Sequence, residues 1–181
     1  TQHPGKKCTI LYSGETSPFA RTRLVNGRNQ IRALFLQGNY SHFLSLEQDV
    51  IPPGNIIERL LVNEKEICSG VYLNQQTRTD GKHLIVMAGT HVESGEELVQ
   101  HLGFLDLFPS RLVEIAYAGV GCMLISRAVL EKVSFRYDEN ARASDDIYFA
   151  RDAHAHGFKL YLDTSVLCKH LFNDAFKKTK Y

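Results

Sequence analysis

The chain has 181 residues, 23% of them charged, and a formal net charge of +1. That length suits one compact domain around a single core. The near balance of charge argues against nucleic acid or a polybasic membrane surface as the main partner. Cys8, Cys68, Cys122 and Cys168 lie far apart in apolar segments with no C-x-x-C pair. They read as buried thiols of a reducing, cytoplasmic setting rather than a disulfide frame or zinc site. No apolar run reaches the roughly 18–20 residues of a membrane span, and no signal peptide is visible. The Asn39-Tyr40-Ser41 sequon carries no weight without one.

In chain order, Cys8 to Tyr12 reads as a short strand ending at Ser13-Gly14. Ser17 is placed as an N-cap, with Pro18 at the first helical position. The helix from Pro18 to about Gln37 carries Ala20, Leu24, Ile31, Leu34 and Phe35 on one apolar stripe, while Arg21, Arg28 and Arg32 share another face. After Gly38-Asn39 the run Phe43 to Leu46 is a buried strand that stops at Glu47-Gln48-Asp49. Pro52-Pro53 forbid its continuation, having no N–H for a ladder. A strand–helix–strand unit predicts a parallel pair with a right-handed crossover, and Leu44 and Leu46 are expected to be buried in a central strand.

Asn55 to Asn63 reads as a short helix, Glu66 to Leu73 as a strand, and His83 to Ala88 as another after a polar stretch with a Thr79-Asp80-Gly81 turn. Glu96 to Phe104 suits either a short helix or a loop. Strand-like Leu112 to Ala118 runs into Gly119-Val120-Gly121, followed by extended Cys122 to Ile125 and a helix over Arg127 to Val133. Ser144-Asp145-Asp146 opens a helix that Gly157 closes. Lys159 to Leu162 and Ser165 to Cys168 are two closing strands before Lys169-His170. The alternation of strand and helix says α/β. The domain is taken as residues 1–172, with 173–181 a loose basic tail.

Several features bear on function, each with a bland alternative. An acid-x-acid triplet beyond a strand's carboxyl end can hold a divalent cation through hard oxygens, or can be a polar strand end. Asp145 and Asp146 complement a helix dipole or do chemistry. Gly119-x-Gly121 is a tight turn or a place where a bulky ligand approaches the backbone. His170 is a satisfied histidine or the borderline ligand completing a carboxylate metal site. His154-x-His156 reads as structural.

Together these motifs resemble something specific. Gly27-Arg28-Asn29, Phe43 through Pro53, and Ile67-Cys68-Ser69-Gly70-Val71-Tyr72 resemble the centre of a GT-A-type glycosyltransferase of the family-two kind. Ala118 to Leu130 resembles that family's glycine turn, strand and helix, and Asp145 to Gly157 its acid-pair helix, with His170 downstream. The resemblance covers roughly residues 8 to 172. It implies a single GT-A-like α/β domain with a mostly parallel central sheet; the family's opening strand–helix unit of about 30 residues has no counterpart here, so either the domain is shortened or that unit is absent from the given sequence.

The resemblance also implies an activity: sugar transfer from a nucleotide-sugar donor to a carbohydrate or other hydroxyl acceptor. A divalent metal, Mn2+ or Mg2+, would be held by Asp49 and His170 and stabilise charge on the leaving diphosphate. Asp146, or else Asp145, would match the acceptor's base. Arg28, Asn29, Glu47 and Asp49 would hold the donor, and Gly119 and Gly121 would border the acceptor. The triplet departs from the family in carrying Glu47 where it has aspartate. The competing reading is a shortened, degenerate transferase that binds sugar or protein without catalysis. The bare edge expected beside Cys8–Tyr12 further predicts a homodimer covering it.

Overall fold

The structure, a computed structural model, describes residues 10–12, 14–90, 100–140 and 143–171. The chain opens on α1 (Ala20–Gln37), then β1 (His42–Leu46), β2 (Val50–Ile51), α2 (Ile56–Leu61) and β3 (Ile67–Val71). Next come the hairpin β4 (Leu73–Arg78) and β5 (Gly81–Val86), then β6 (Ala88–Thr90), β7 (Gln100–His101) and a 3-10 turn over Phe104–Leu107. The second half runs β8 (Leu112–Ile115), β9 (Tyr117–Ala118), β10 (Cys122–Ser126), α3 (Arg127–Lys132), α4 (Asp145–Ala155), β11 (Leu160–Leu167) and β12 (Lys169–His170).

The main sheet has five strands in the order β1-β10-β3-β11-β8. Its middle strands alternate residues between two cores, as the two-residue period of a strand requires. Along β10, Met123 and Ile125 join one cluster with Phe149 and Leu160. Cys122 and Leu124 join the other with Ile56, Leu60 and Tyr72. Thus α2 covers one face, while α3, α4 and the inner side of α1 cover the other.

The expected mostly parallel sheet is wrong. Among the described residues only β3 with β11 pairs in parallel; β1–β10, β10–β3 and β11–β8 are antiparallel, and the three smaller sheets are antiparallel throughout. A parallel pair needs strands at both ends of its crossover. Residues 10–12, ahead of α1, form no strand, and Cys8 lies outside the described residues. β1 lies antiparallel to β10 at the sheet's edge. Leu46 is accordingly 45% exposed and Leu44 only half-buried, not the central pair expected.

The expected helix stripe is buried only at Phe35. Val25 and Phe35 are the buried apolar residues of α1, whereas Leu24, Ile31 and Leu34 are exposed. The inward side carries polar groups that find interior partners. Asn29 donates to the Phe135 carbonyl at 2.8 Å and accepts from its N–H at 3.0 Å, and Arg32 Nε donates to the Leu130 carbonyl at 2.7 Å. Phe19, not Ser17, occupies the N-cap position.

Smaller differences follow from pairing. The polar stretch after Leu73 is strand β4, and the two closing strands are one, β11, with a register shift between Asp163 and Leu167. Leu112 to Ala118 divides between two sheets as β8 and β9. Within Glu96 to Phe104, residues 100–101 are strand, and 96–99 lie outside the described residues, as do 173–181.

Candidate functional site

The triplet Glu47-Gln48-Asp49 turns out of β1 and is tied on both sides. Glu47 N–H donates to the Gly121 carbonyl at 3.0 Å, and the Asp49 carbonyl accepts from Leu171 N–H at 2.7 Å. The β2–β12 ladder sets His170 opposite Val50. Through that register two residues remote in sequence meet: His170 Nε2 lies 3.3 Å from Asp49 Oδ2. The Nδ1–H of His170 donates to the Leu73 carbonyl at 2.7 Å, which fixes the tautomer. In the neutral ring Nε2 is then a lone pair facing a carboxylate oxygen. Two acceptors at that distance need a cation between them, a proton or a metal ion.

The first acid turns the other way. Glu47 Oε1 takes Arg28 Nη2 at 2.5 Å, and the same guanidinium sets Nε 3.3 Å from Asp145 Oδ2. Arg28 also lies over the Phe135 ring, 5.7 Å from its centroid. Burial pushes the Glu47 carboxyl up, with Arg28 opposing and Asp49 and Asp145 adding to the rise. Burial likewise raises Asp145, against Arg28 and with Asp146. Arg28 Nη1 and Asp145 Oδ2 are buried without a hydrogen-bond partner.

Asp146 begins α4 beside Asp145, and both are buried. Its Oδ1 accepts from the Ser144 hydroxyl and, at 2.8 Å, from the Ile147 N–H. Charges on Asp146 and Glu47 both add to the rise in the Tyr72 phenol, whose first cause is burial, so these groups share one electrostatic neighbourhood.

Tyr72 fills the middle of this neighbourhood. Its hydroxyl accepts from Gly121 N–H at 3.1 Å, and its ring meets His170 edge-on at 5.5 Å. A Cβ at Gly119 would run into the Tyr72 hydroxyl; one at Gly121 would stand 2.8 Å from it and 2.9 Å from Glu47 Oε2. The glycine pair therefore makes room for the protein's own tyrosine. The sequence offered a bulky approach to this turn, but not that the bulk is Tyr72.

The structure thus brings together Arg28, Glu47, Asp49, Gly119, Gly121, Asp145, Asp146 and His170. Asn29 stands apart, its amide spent on the Phe135 backbone. His154 bonds the Ala116 carbonyl at 2.9 Å. A cleft of about 530 Å³ lies between the start of α1 and residues 137–140. Arg21 lines it, and its charge is one of those opposing the rise in the Asp145 carboxyl; neither Asp49 nor His170 lines it. Among the described residues no three His, Cys, Asp or Glu side chains form a group able to hold a metal on their own. No helix among them is long and apolar enough to cross a membrane.

Fold and site together define a mixed α/β protein with a carboxylate–histidine pair beside a buried Arg–acid cluster. No family model matches the chain, and no curated protein matches it. Among solved structures it is similar to A197 from STIV, at a TM-score of 0.50 and 18% identity, over 83% of this chain and 69% of that one. At that identity the likeness concerns fold alone.

Proposed function

We propose that the chain is a metal-dependent glycosyltransferase acting on a nucleotide-sugar donor and a hydroxyl acceptor. The observation that carries this reading is the meeting of Asp49 Oδ2 and His170 Nε2. A carboxylate and an imidazole suit Mn2+ or, less well, Mg2+. The Leu73 carbonyl on the far nitrogen is the outer contact that orients a ligating histidine. Two protein ligands fit a cation shared with a substrate's diphosphate, and when bound it would neutralise charge on that leaving group.

The remaining roles belong to the chain itself. Arg28 Nη1, buried and without a partner, would be satisfied by a phosphate or sugar oxygen of the donor. Asp146 would take the acceptor's hydroxyl proton as the acceptor oxygen bonds to the anomeric carbon. The bond from that carbon to the diphosphate breaks, and the diphosphate leaves with the electron pair. Tyr72 holds the Gly121 backbone and braces the His170 ring from its edge. The free thiols Cys68, Cys122 and Cys168 fit a reducing, cytoplasmic compartment.

Calorimetric titration with nucleoside diphosphates and nucleotide sugars, with and without Mn2+, tests the reading. Binding is expected only with the metal and is expected to be lost in Asp49→Asn. Asp146→Asn should keep binding while turnover falls by about 10²–10⁴-fold. Failure of every nucleotide to bind in the presence of metal would favour the non-catalytic sugar- or protein-binding module.

A further inference from the structure

We infer that Cys122 and Cys168 form a two-coordinate site for a soft monovalent metal ion, Cu+, held between their sulfurs over Gly70. A Cβ at Gly70 would stand 3.3 Å from Cys122 Sγ and 3.2 Å from Cys168 Sγ, so the two sulfurs converge on one point. The two side chains also hydrogen-bond to each other. Both thiols are free, Cys122 buried and Cys168 partly exposed.

Gly70 is what lets them converge. Its φ is not positive, so no backbone twist demands glycine inside this fully buried strand, where glycine weakens packing. The space above it does demand glycine. A Cβ there would also stand 2.9 Å from Val166 Cγ1, and both sulfurs would have to give way.

Topology decides between a disulfide and an ion. Cys122 lies one residue past the Met123–Ser69 pair, on the β10 side of β3. Cys168 lies on the other side, just after β11, where its N–H donates to the Val71 carbonyl at 2.8 Å. With β3 between them, the two Cα atoms are about 9–10 Å apart, two strand spacings. A disulfide needs about 4.4–6.8 Å. An ion between the sulfurs needs no such approach.

The donor set then chooses the ion. Thiolates are soft and select Cu+. Zn2+ takes four ligands, and the walls here are Ile56, Leu60, Leu124 and Val166 of an apolar cluster. Cys68, the third thiol of that cluster, is engaged by Asn63, whose Nδ2 lies 3.6 Å from its sulfur. Each thiol of the pair releases its proton to solvent as its sulfur bonds to the ion, so the loaded site carries one net negative charge. Arg59 donates to the Ser165 carbonyl at 2.7 Å, three residues before Cys168, and its charge offsets that one. The partly exposed Cys168 gives the ion its way in. Cys122 follows the glycine turn and Cys168 precedes His170 by two residues, so a bound ion pins both segments, but the inference does not depend on the proposed activity.

Anaerobic competition for Cu+ against bathocuproine disulfonate, with ascorbate present and in a Cys8→Ser background, tests the site. The chain should take up one Cu+. Cys122→Ser and Cys168→Ser should each weaken uptake at least about a hundredfold, since even an outer contact of a metal site is worth about 10–100-fold. Because Cys168 is partly exposed, Cys168→Ser tests the site even if Cys122→Ser fails to fold. Cys68→Ser should leave uptake unchanged. Cu+ at a hundred times its dissociation constant should raise the melting temperature by about 5–10 °C, whereas capture by thiols of the unfolded chain would lower it. No uptake, uptake indifferent to both serines, or a lowered melting temperature overturns the inference, the last two in favour of adventitious thiol binding only. Equal loss with Cys68→Ser overturns the two-coordinate geometry. Zn2+ bound as tightly through the same two cysteines overturns the choice of ion, and a Cys122–Cys168 disulfide formed with oxidised glutathione overturns the spacing.

Discussion

Two residues apart in one turn, Glu47 and Asp49 have opposite surroundings. Glu47 points inward to Arg28, which also reaches Asp145, and the three groups neutralise most of one another's charge. Asp49 points to His170, whose other nitrogen is already committed to a carbonyl. The first region is the more closed: its charges face one another, although Arg28 Nη1 and Asp145 Oδ2 keep no hydrogen-bond partner, and removing one charge leaves the others without it. The second is more open, since Asp49 and His170 face one another across a gap that a proton or a metal ion bridges.

Breaking the closed side should have the largest effect. Arg28→Met strands Glu47 and Asp145 without their cation, and uncompensated charge in such a site costs about 3–5 kcal/mol. Glu47 is 37% exposed at its side chain, so the loss is expected near the lower end, about 3 kcal/mol, in urea unfolding at neutral pH. A loss below about 0.5 kcal/mol would mean that water, not Arg28, answers these acids.

The open side should respond in the reverse manner. Asp49 is 35% exposed at its side chain, and exposed ion pairs contribute about 0–1 kcal/mol. Asp49→Asn should therefore unfold within about 1 kcal/mol of the parent when no metal is present. Adding Mn2+ at a hundred times its dissociation constant should stabilise the parent by about 2.7 kcal/mol, and the variant by much less. Equal stabilisation of both would place the cation elsewhere.

The sequence told more about which residues meet than about how the strands run. Motif order joined Arg28, the triplet, the glycine turn, Asp145-Asp146 and His170, and the chain does bring them to one place. Strand direction was not legible, because it depends on which strands pair across long separations. β1 carries an apolar run that suits a central strand, yet it pairs only with β10. The face of α1 was read correctly at Phe35 and wrongly at Leu24, Ile31 and Leu34 for a related reason. Its period groups residues by side but not how far the buried sector turns, and here it runs from Phe35 toward Val25, Asn29 and Arg32, the last two capping backbone groups of the segment around α3. Tyr72 was legible only as the end of a strand, since its contact with the glycine turn is tertiary.

The smallest expected effect concerns pH and separates burial from charge pairing within the closed cluster. Asp145 has its carboxyl raised above the ordinary value of 3.8, first by burial, with Arg28 opposing and Asp146 adding to the rise. The folded chain then holds this proton at pH values where the unfolded chain has released it. The stability this proton adds is fully present below the unfolded value and is lost as pH rises through the folded one. Asp145→Asn removes that titration while keeping the side chain's size. As pH falls from 7 toward the aspartate range, the parent should therefore gain stability relative to the variant, by a fraction of the roughly 1.4 kcal/mol that one pH unit of proton linkage supplies. Urea unfolding of both chains at matched pH values reads this group together with its effect on the neighbouring Glu47 and Asp146 carboxyls. If the parent instead loses ground as pH falls, the Arg28 ion pair outweighs burial, and Asp145 belongs with the acids that need their charge to hold the fold.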